Sequence, residues 1–356
     1  MSAGYGTPEG VQESVTPFTS VTLDELDLAI VHALQIQPRA PWTLVGEVLD
    51  VDPVTVARRW HRLSSTGAAW VDGYLSPARS DLAWAQVEIV VEGPRLTEVA
   101  QTLCDEPQVV SLKHTSGTRD LLALVQAVDL DALAAYVTER LTRVPGVRAT
   151  RLHVITDAPA EGAQWRLRAL TPAQRERLHP ARPVASPPEE PLRPVERRIA
   201  LALGADGRMP LTELARRVDS SVATARRGLR RLVDSGRLSL RCGLARPLTG
   251  WPVWAVYFGS VPAEHLEVTA TALRTLPELR FCTMTAGPYN LIVDVWLRTL
   301  HDVHALEAHL TRELGHLGLR ISERTVVLRM YKHVGRILDR RGHSVRTVPM
   351  NTWRTA

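Results

Sequence analysis

The chain has 356 residues, 45% of them apolar and 23% charged, which is too long for one ordinary core and typical of globular proteins. No run approaches the roughly 18 apolar residues of a membrane helix, so no membrane partner is expected, and the first residues (MSAGYGTPEGVQESV) lack the basic start and apolar core of an export signal. The net charge of +5 rests almost wholly on arginine, and the three scattered cysteines (Cys104, Cys242, Cys282) fit neither a disulfide framework nor a CxxC clip, so a reducing cytoplasm is expected.

Residues 1–20 show no periodicity and predict a mobile tail. From Leu23, apolar residues recur at Leu26, Ile30, Val31 and Leu34, the spacing of an amphipathic helix, with Thr22 as its expected N-cap. A second helix follows at about 43–49. A third runs from Pro53 to about Thr66, opened by Asp52-Pro53 and closed by Gly67. Three short helices in this order, the last two joined by a tight turn, predict a helix-turn-helix. WVDGYL (70–75) reads as a wing strand. Strand, helix, two strands around Ser116-Gly117-Thr118-Arg119, a helix over 130–144 and a last strand then give a βαββαβ order, the ferredoxin-like plan. Residues 158–193 read as a proline-rich linker, with a short helix possible at AQRERL.

The plan then repeats. At an offset of 169, Asp50, Thr55, Arg58, Arg62 and Leu63 meet Asp219, Thr224, Arg227, Arg231 and Leu232, and the glycine turn recurs at Ala286-Gly287-Pro288-Tyr289-Asn290. The fold class expected is therefore α+β, with two winged helix-turn-helix domains (21–80 and 194–248) alternating with two ferredoxin-like domains (81–157 and 249–333). A basic tail, 334–356, is expected to be loosely ordered.

On the third helix of each unit, Val56, Trp60 and Leu63, and likewise Ala225, Leu229 and Leu232, should face inward. That leaves Thr55, Arg58, Arg59 and Arg62 in the first copy, and Thr224, Arg226, Arg227, Arg230 and Arg231 in the second, free to reach double-stranded DNA. Residues 194–246 hold twelve arginines against five acids, a balance of +7; residues 21–79 hold five against seven, or −2. The second copy should supply most of the affinity for phosphate. At the glycine turns, a plain tight connection competes with a small-effector site built from Gly117, Thr118 and Asp120, and from Gly287, Tyr289 and Asn290. His301, His304, His309 and His316 lack a cysteine or paired carboxylate to complete a metal set. No nucleophile elbow, phosphate-binding glycine loop or HExxH run is present, so neither an enzyme nor a cofactor is expected.

The segments LDELDLAIVHAL and VLDVDPVTVARRWHRLSSTG, the Gly-x-x-Asp turn, GPYNLIVDV and TVVLRMYKH resemble the Lrp/AsnC family of bacterial transcriptional regulators over about 21–157 and 194–333. That resemblance implies a winged DNA reader joined to a regulation domain. It implies regulation domains that pair sheet to sheet, with amino acids bound near interfaces around the glycine turn. Ordinary members carry one unit per chain and dimerise. Two units in one chain imply an intramolecular pseudo-dimer, further homo-oligomerisation and a cytoplasmic, nucleoid-associated protein. The sequence departs from the family at Asn290, which replaces the turn aspartate, and at Arg119, which replaces the aromatic kept at Tyr289. Two other readings are a metabolite sensor whose helix-turn-helix units bind proteins, and an architectural DNA-bending protein.

Overall fold

The structure, a computed structural model, describes residues 22–77, 81–178 and 190–353. The tail expected over 1–20 and most of the proline-rich run lie outside the described residues. Helices α1 (Glu25–Ile36), α2 (Trp42–Leu49) and α3 (Pro53–Ser65) form the first tri-helical head. Asp24, rather than Thr22, caps α1: its carboxylate accepts from the Asp27 N–H, and Asp27 accepts from the Asp24 N–H in return. Asp52 caps α3 by accepting from the Val54 and Thr55 N–H groups. In the tight turn, Asp50 adopts φ 55° and its counterpart Asp219 φ 49°. Aspartate tolerates this left-handed conformation better than most residues, which gives the repeated aspartate a backbone reason.

Strand β1 (Ala69–Leu75) is followed by β2 (Ala83–Val91), α4 (Leu96–Asp105), β3 (Val109–Thr115), β4 (Leu121–Ala127), α5 (Leu130–Ala135) and β5 (Val147–Ala160), the expected βαββαβ order. The helix expected over 130–144 is regular only through Ala135. It widens into a π-type turn over Tyr136–Arg140 and tightens again over Leu141–Arg143. β5 runs past 157 to Ala160, and the following segment is ordered against the first head. Leu167, Leu170 and Leu178, the last in α6 (Pro172–Leu178), enter that head's core.

The second half has the same element order: α7 (Pro194–Ala205), α8 (Leu211–Arg217), α9 (Val222–Asp234), β6 (Leu238–Leu244), β7 (Val253–Ser260), α10 (Leu266–Leu273), β8 (Leu279–Ala286), β9 (Leu291–Leu297), α11 (Asp302–Leu314) and β10 (Arg320–His333). Gly228 inside α9 is explained by packing, since a Cβ there would lie 2.7 Å from Ile199 Cδ1 on α7. The expectation of a loosely ordered tail is overturned for its described residues, 334–353. Strands β11 (Arg336–Leu338) and β12 (Ser344–Thr347) extend the sheet beside β10, and the Ser344 N–H donates to Gly67 O at 2.9 Å.

Strand pairing runs β10-β3-β4-β2-β5-β8-β9-β7, and β7 pairs again with β10, closing a ring. The fourteen-residue strands β5 and β10 do this by each pairing first with its own unit and then with the other. Helices cover one face of each unit's sheet over separate cores. The helix-free faces meet through Leu122, Val256, Phe258, Ile292, Trp254 and Trp296.

The wing strands do not form hairpins within their own heads. β1 pairs antiparallel with β6, and Asp72 lies opposite Arg241. Those two residues are themselves 169 apart, so the local two-fold axis passes between them. In a symmetric pair of identical chains, a charge on that axis would face itself; here the Arg241 Nε donates to the Asp72 carboxylate at 3.4 Å. A second reciprocal contact joins the heads. Arg39 donates to Gly207 O and Met209 O, and Arg208 donates to Pro38 O and Ala40 O.

Candidate nucleic-acid interface

The inward positions of α3 (Val56, Trp60, Leu63) and α9 (Ala225, Leu229, Leu232) are buried, which fixes the opposite face of each helix toward solvent. Thr55 and Thr224 sit half-buried at the helix starts. The Thr224 N–H donates to the Ser221 cap, and its hydroxyl accepts from Arg227 at 3.3 Å. Arg58 is exposed on α3, and Arg226, Arg227 and Arg230 are exposed on α9 with no acidic partner among the described residues.

The remaining arginines of the expected reading set are engaged. Arg59 donates to Asp24 at 2.5 Å and Asp27 at 3.2 Å, and Arg62 pairs with Asp27, which is only 1% exposed. The hydrogen bond from Arg59 holds the Asp24 carboxyl below its usual range. In the second head, Arg231 meets Glu190 at 3.0 Å and the buried Glu196 at 3.3 Å. Asp27 and Glu196 are themselves 169 apart, so the same acid-to-arginine clamp ties the first helix to the third in both heads. An acid on an otherwise apolar helix face was the sequence signal for it.

At the first glycine turn, Gly117 has φ 95°, Thr118 donates to Glu323 of β10 at 3.0 Å, and the Asp120 carboxylate accepts from the Val91 N–H at 2.7 Å. At the second, Gly287 has φ 152°, and Asn290 both accepts from the Val261 N–H and donates to Val261 O. Asp120 and Asn290 thus hold each turn to the end of a neighbouring strand. Both turns abut the other unit. Arg119, buried over the Phe258 ring at 4.1 Å, pairs with Glu88 at 2.7 Å and Glu323 at 2.5 Å, while Tyr289 lies 5.7 Å from the His153 ring. Burial raises the Glu88 pKa, but hydrogen bonds from His153 and Arg119 outweigh it and hold the group low.

A group that the sequence reading missed lies beneath the β1–β6 ribbon. Lys113, Arg241, Arg280, Asp294 and His333 line two adjoining cavities together with tryptophans. The local sequence carries no signal for it: in LSLRCGL and in LRFC the arginine stands between apolar neighbours, the pattern of a solvent-facing position.

Three family profiles match the chain: an AsnC-type helix-turn-helix domain over 23–64, the Lrp/AsnC ligand binding domain over 85–165, and a winged helix-turn-helix DNA-binding domain over 192–239. An HTH-type transcriptional regulator LrpA1 of Halobacterium salinarum is 31% identical over 124 residues, which cover 34% of this chain and 86% of that one. An uncharacterized HTH-type transcriptional regulator of Pyrococcus abyssi is 27% identical over 147 residues, 40% of this chain and 91% of the relative. Among solved structures, the siroheme decarboxylase NirDL in co-complex with an iron-uroporphyrin III analogue superposes with a TM-score of 0.57 at 15% identity, covering 92% of this chain and 95% of that one. At that identity the likeness speaks for the fold of both halves together. By the capped reading helices, the βαββαβ units and these relatives, the chain belongs to the Lrp/AsnC family.

Proposed function

We propose that the chain is a DNA-binding transcriptional regulator of Lrp/AsnC type that carries both reading heads of a pseudo-dimer in one polypeptide and answers to an amino acid or similar small metabolite. The observation that carries this reading is the exposed face of α9, where Arg226, Arg227 and Arg230 have no acidic partner among the described residues, on a helix capped and packed as a reading helix. Such a face neutralises phosphates and offers bidentate donors to guanine. The reciprocal Arg39 and Arg208 contacts and the β1–β6 ribbon support a fixed spacing between the heads. An effector would act by favouring one of two head placements, which requires different affinity for the two. Anisotropy titration of the full chain with genomic fragments at two salt concentrations tests the reading. Tight, salt-sensitive binding with preference for particular fragments is expected, and equal binding to bulk DNA would favour the architectural alternative.

A second reading is favoured by one observation, the buried cationic cavities inside a fold shared along its length with a siroheme decarboxylase. Under it, the chain would remove carbon dioxide from a carboxylated substrate. Incubation with siroheme, followed by mass spectrometry for loss of carbon dioxide, decides between the two readings.

A further inference from the structure

The two cavities under the ribbon measure about 80 and 60 Å³, and share Arg241, Trp254, Arg280 and His333 in their walls. Arg280, on β8, is 7% exposed, and its Nε and Nη1 have no hydrogen-bond partner. It stacks over the rings of Trp296 at 3.8 Å and Trp165 at 4.6 Å. Arg241 Nη1 donates to His333 Nε2 at 2.8 Å while its Nη2 is unpartnered. Burial, followed by the Arg241, Arg280 and Lys113 charges, holds His333 neutral. Because its Nε2 accepts from Arg241, the proton of that neutral ring sits on Nδ1, which also lacks a partner. Trp296 Nε1 is likewise unpartnered.

Opposing these donors are two acids. Asp294 Oδ1 takes Lys113 and Trp254 Nε1, and its Oδ2 is the one unpartnered acceptor among the described groups of this cluster. Asp72 takes Arg241 and Trp70 Nε1. The unpartnered atoms are therefore donors almost throughout, and three of them belong to two buried guanidinium groups. Buried donors without acceptors are costly and uncommon in a folded chain, and an anion is the partner that satisfies all of them together. The walls between the donors are aromatic, with Trp254 and Trp296 rings 5.6 Å apart and Trp165 4.9 Å from Trp296. Flat apolar walls with convergent charged donors suit a planar ring that carries a carboxylate.

We propose that this cavity is the effector site of the chain and takes a small planar conjugated carboxylate, its carboxylate on Arg280 and Arg241 and its ring against the tryptophans. The proposal rests on the reading that a small molecule regulates the chain, and relocates the effector from the glycine turns. It also supplies the coupling. Arg241 sits on β6 directly opposite Asp72 on β1, so a carboxylate that competes for Arg241 acts on the ribbon that joins the two heads.

The test uses the full chain with indole-3-acetate as probe, against indole-3-acetamide, acetate and L-leucine. Indole-3-acetate is expected to bind saturably in a calorimetric titration and to raise the melting temperature by several degrees, with the amide binding at least tenfold more weakly and acetate and leucine showing no saturable effect. Arg280→Met keeps the packing and removes the unpartnered charge, so it should leave the unliganded melting temperature unchanged or higher while weakening the probe at least thirtyfold. Arg280→Lys should fall between. Failure of the probe to bind at millimolar concentration, or binding unchanged by Arg280→Met, overturns the cavity assignment. DNA titration with and without probe separates the two ideas. Arg280-dependent binding that leaves DNA affinity unchanged keeps the ligand site and removes the regulatory reading. An amino acid that shifts DNA affinity equally in wild type and Arg280→Met does the reverse.

Discussion

The first head presents three arginines on its reading helix and the second presents four, yet the difference available to DNA is larger than that count. In the first, Arg59 and Arg62 face Asp24 and Asp27, while Arg58 has no acid among the described residues; in the second, Arg231 alone is held by a described acid, meeting Glu190 and Glu196. Partly exposed pairs such as Arg59 with Asp24 contribute little to stability and can exchange for phosphate. The pair of Arg62 with buried Asp27 cannot do so freely, because withdrawal would leave a carboxylate unpaired inside the head. Charge counted along a sequence is thus an upper bound on charge offered to a ligand. Here three arginines of α9 carry most of the offer.

The largest effect should follow from removing that offer. The triple variant Arg226→Ala, Arg227→Ala, Arg230→Ala is expected to weaken DNA binding roughly a hundredfold near physiological salt, and to flatten the plot of log affinity against log salt by about three. Arg58→Ala should cost only a few-fold. Equal losses from the two variants would abolish the asymmetry and return both heads to equal standing.

A smaller change in the opposite direction sharpens the same contrast. Asp27→Asn should release Arg62 toward solvent while Asp24 still holds Arg59 at 2.5 Å, raising DNA affinity a few-fold and steepening the salt dependence by about one, at a cost of about 1–2 kcal/mol in stability. Glu196→Gln leaves Arg231 paired with Glu190 and should do less. If Asp27→Asn weakens DNA binding instead, the clamp positions the reading helix more than it withholds charge. Chemical denaturation beside the DNA titration distinguishes these outcomes.

How far the sequence shows this much depends on whether one unit suffices to explain a residue. The helices of each head, their inward stripes and the βαββαβ order follow from periodicity and caps, because a single unit buries those faces. Gln86, Glu88 and Asp294 each stand between apolar neighbours, a local pattern that fits a sheet with one face in water, yet all three, with Lys113, are buried where the two helix-free sheet faces meet. The length of β5 and the order of residues 336–353 were hidden for the same reason. β5 finds its second partner in β8, and the tail is held at Gly67, each in the other half of the fold. The cavity donors belong to this class too. No local pattern distinguishes Arg280 in a strand from an exposed arginine until the second unit closes over it.

The smallest expected effect concerns acid. His32 on α1 is buried, and its Nδ1 accepts from the Ala169 and Leu170 N–H groups of the strap that packs on the first head. Burial, with Arg166 and Arg175 nearby, brings its pKa down to about 4. The unfolded chain titrates near 6.5 and so binds more protons than the folded one between those values. The stability tied to the neutral ring is therefore complete above about pH 6.5 and lost as pH falls toward 4. The corresponding position in the second head is Leu201, which cannot titrate. Hydrogen exchange across this window should show α1 and the strap loosening while α7 stays protected, and His32→Asn, which keeps an acceptor but not the titration, should flatten the response. Loosening of both heads alike, or an unchanged slope in His32→Asn, would mean that acid acts through a group the two heads share rather than through the strap that His32 holds.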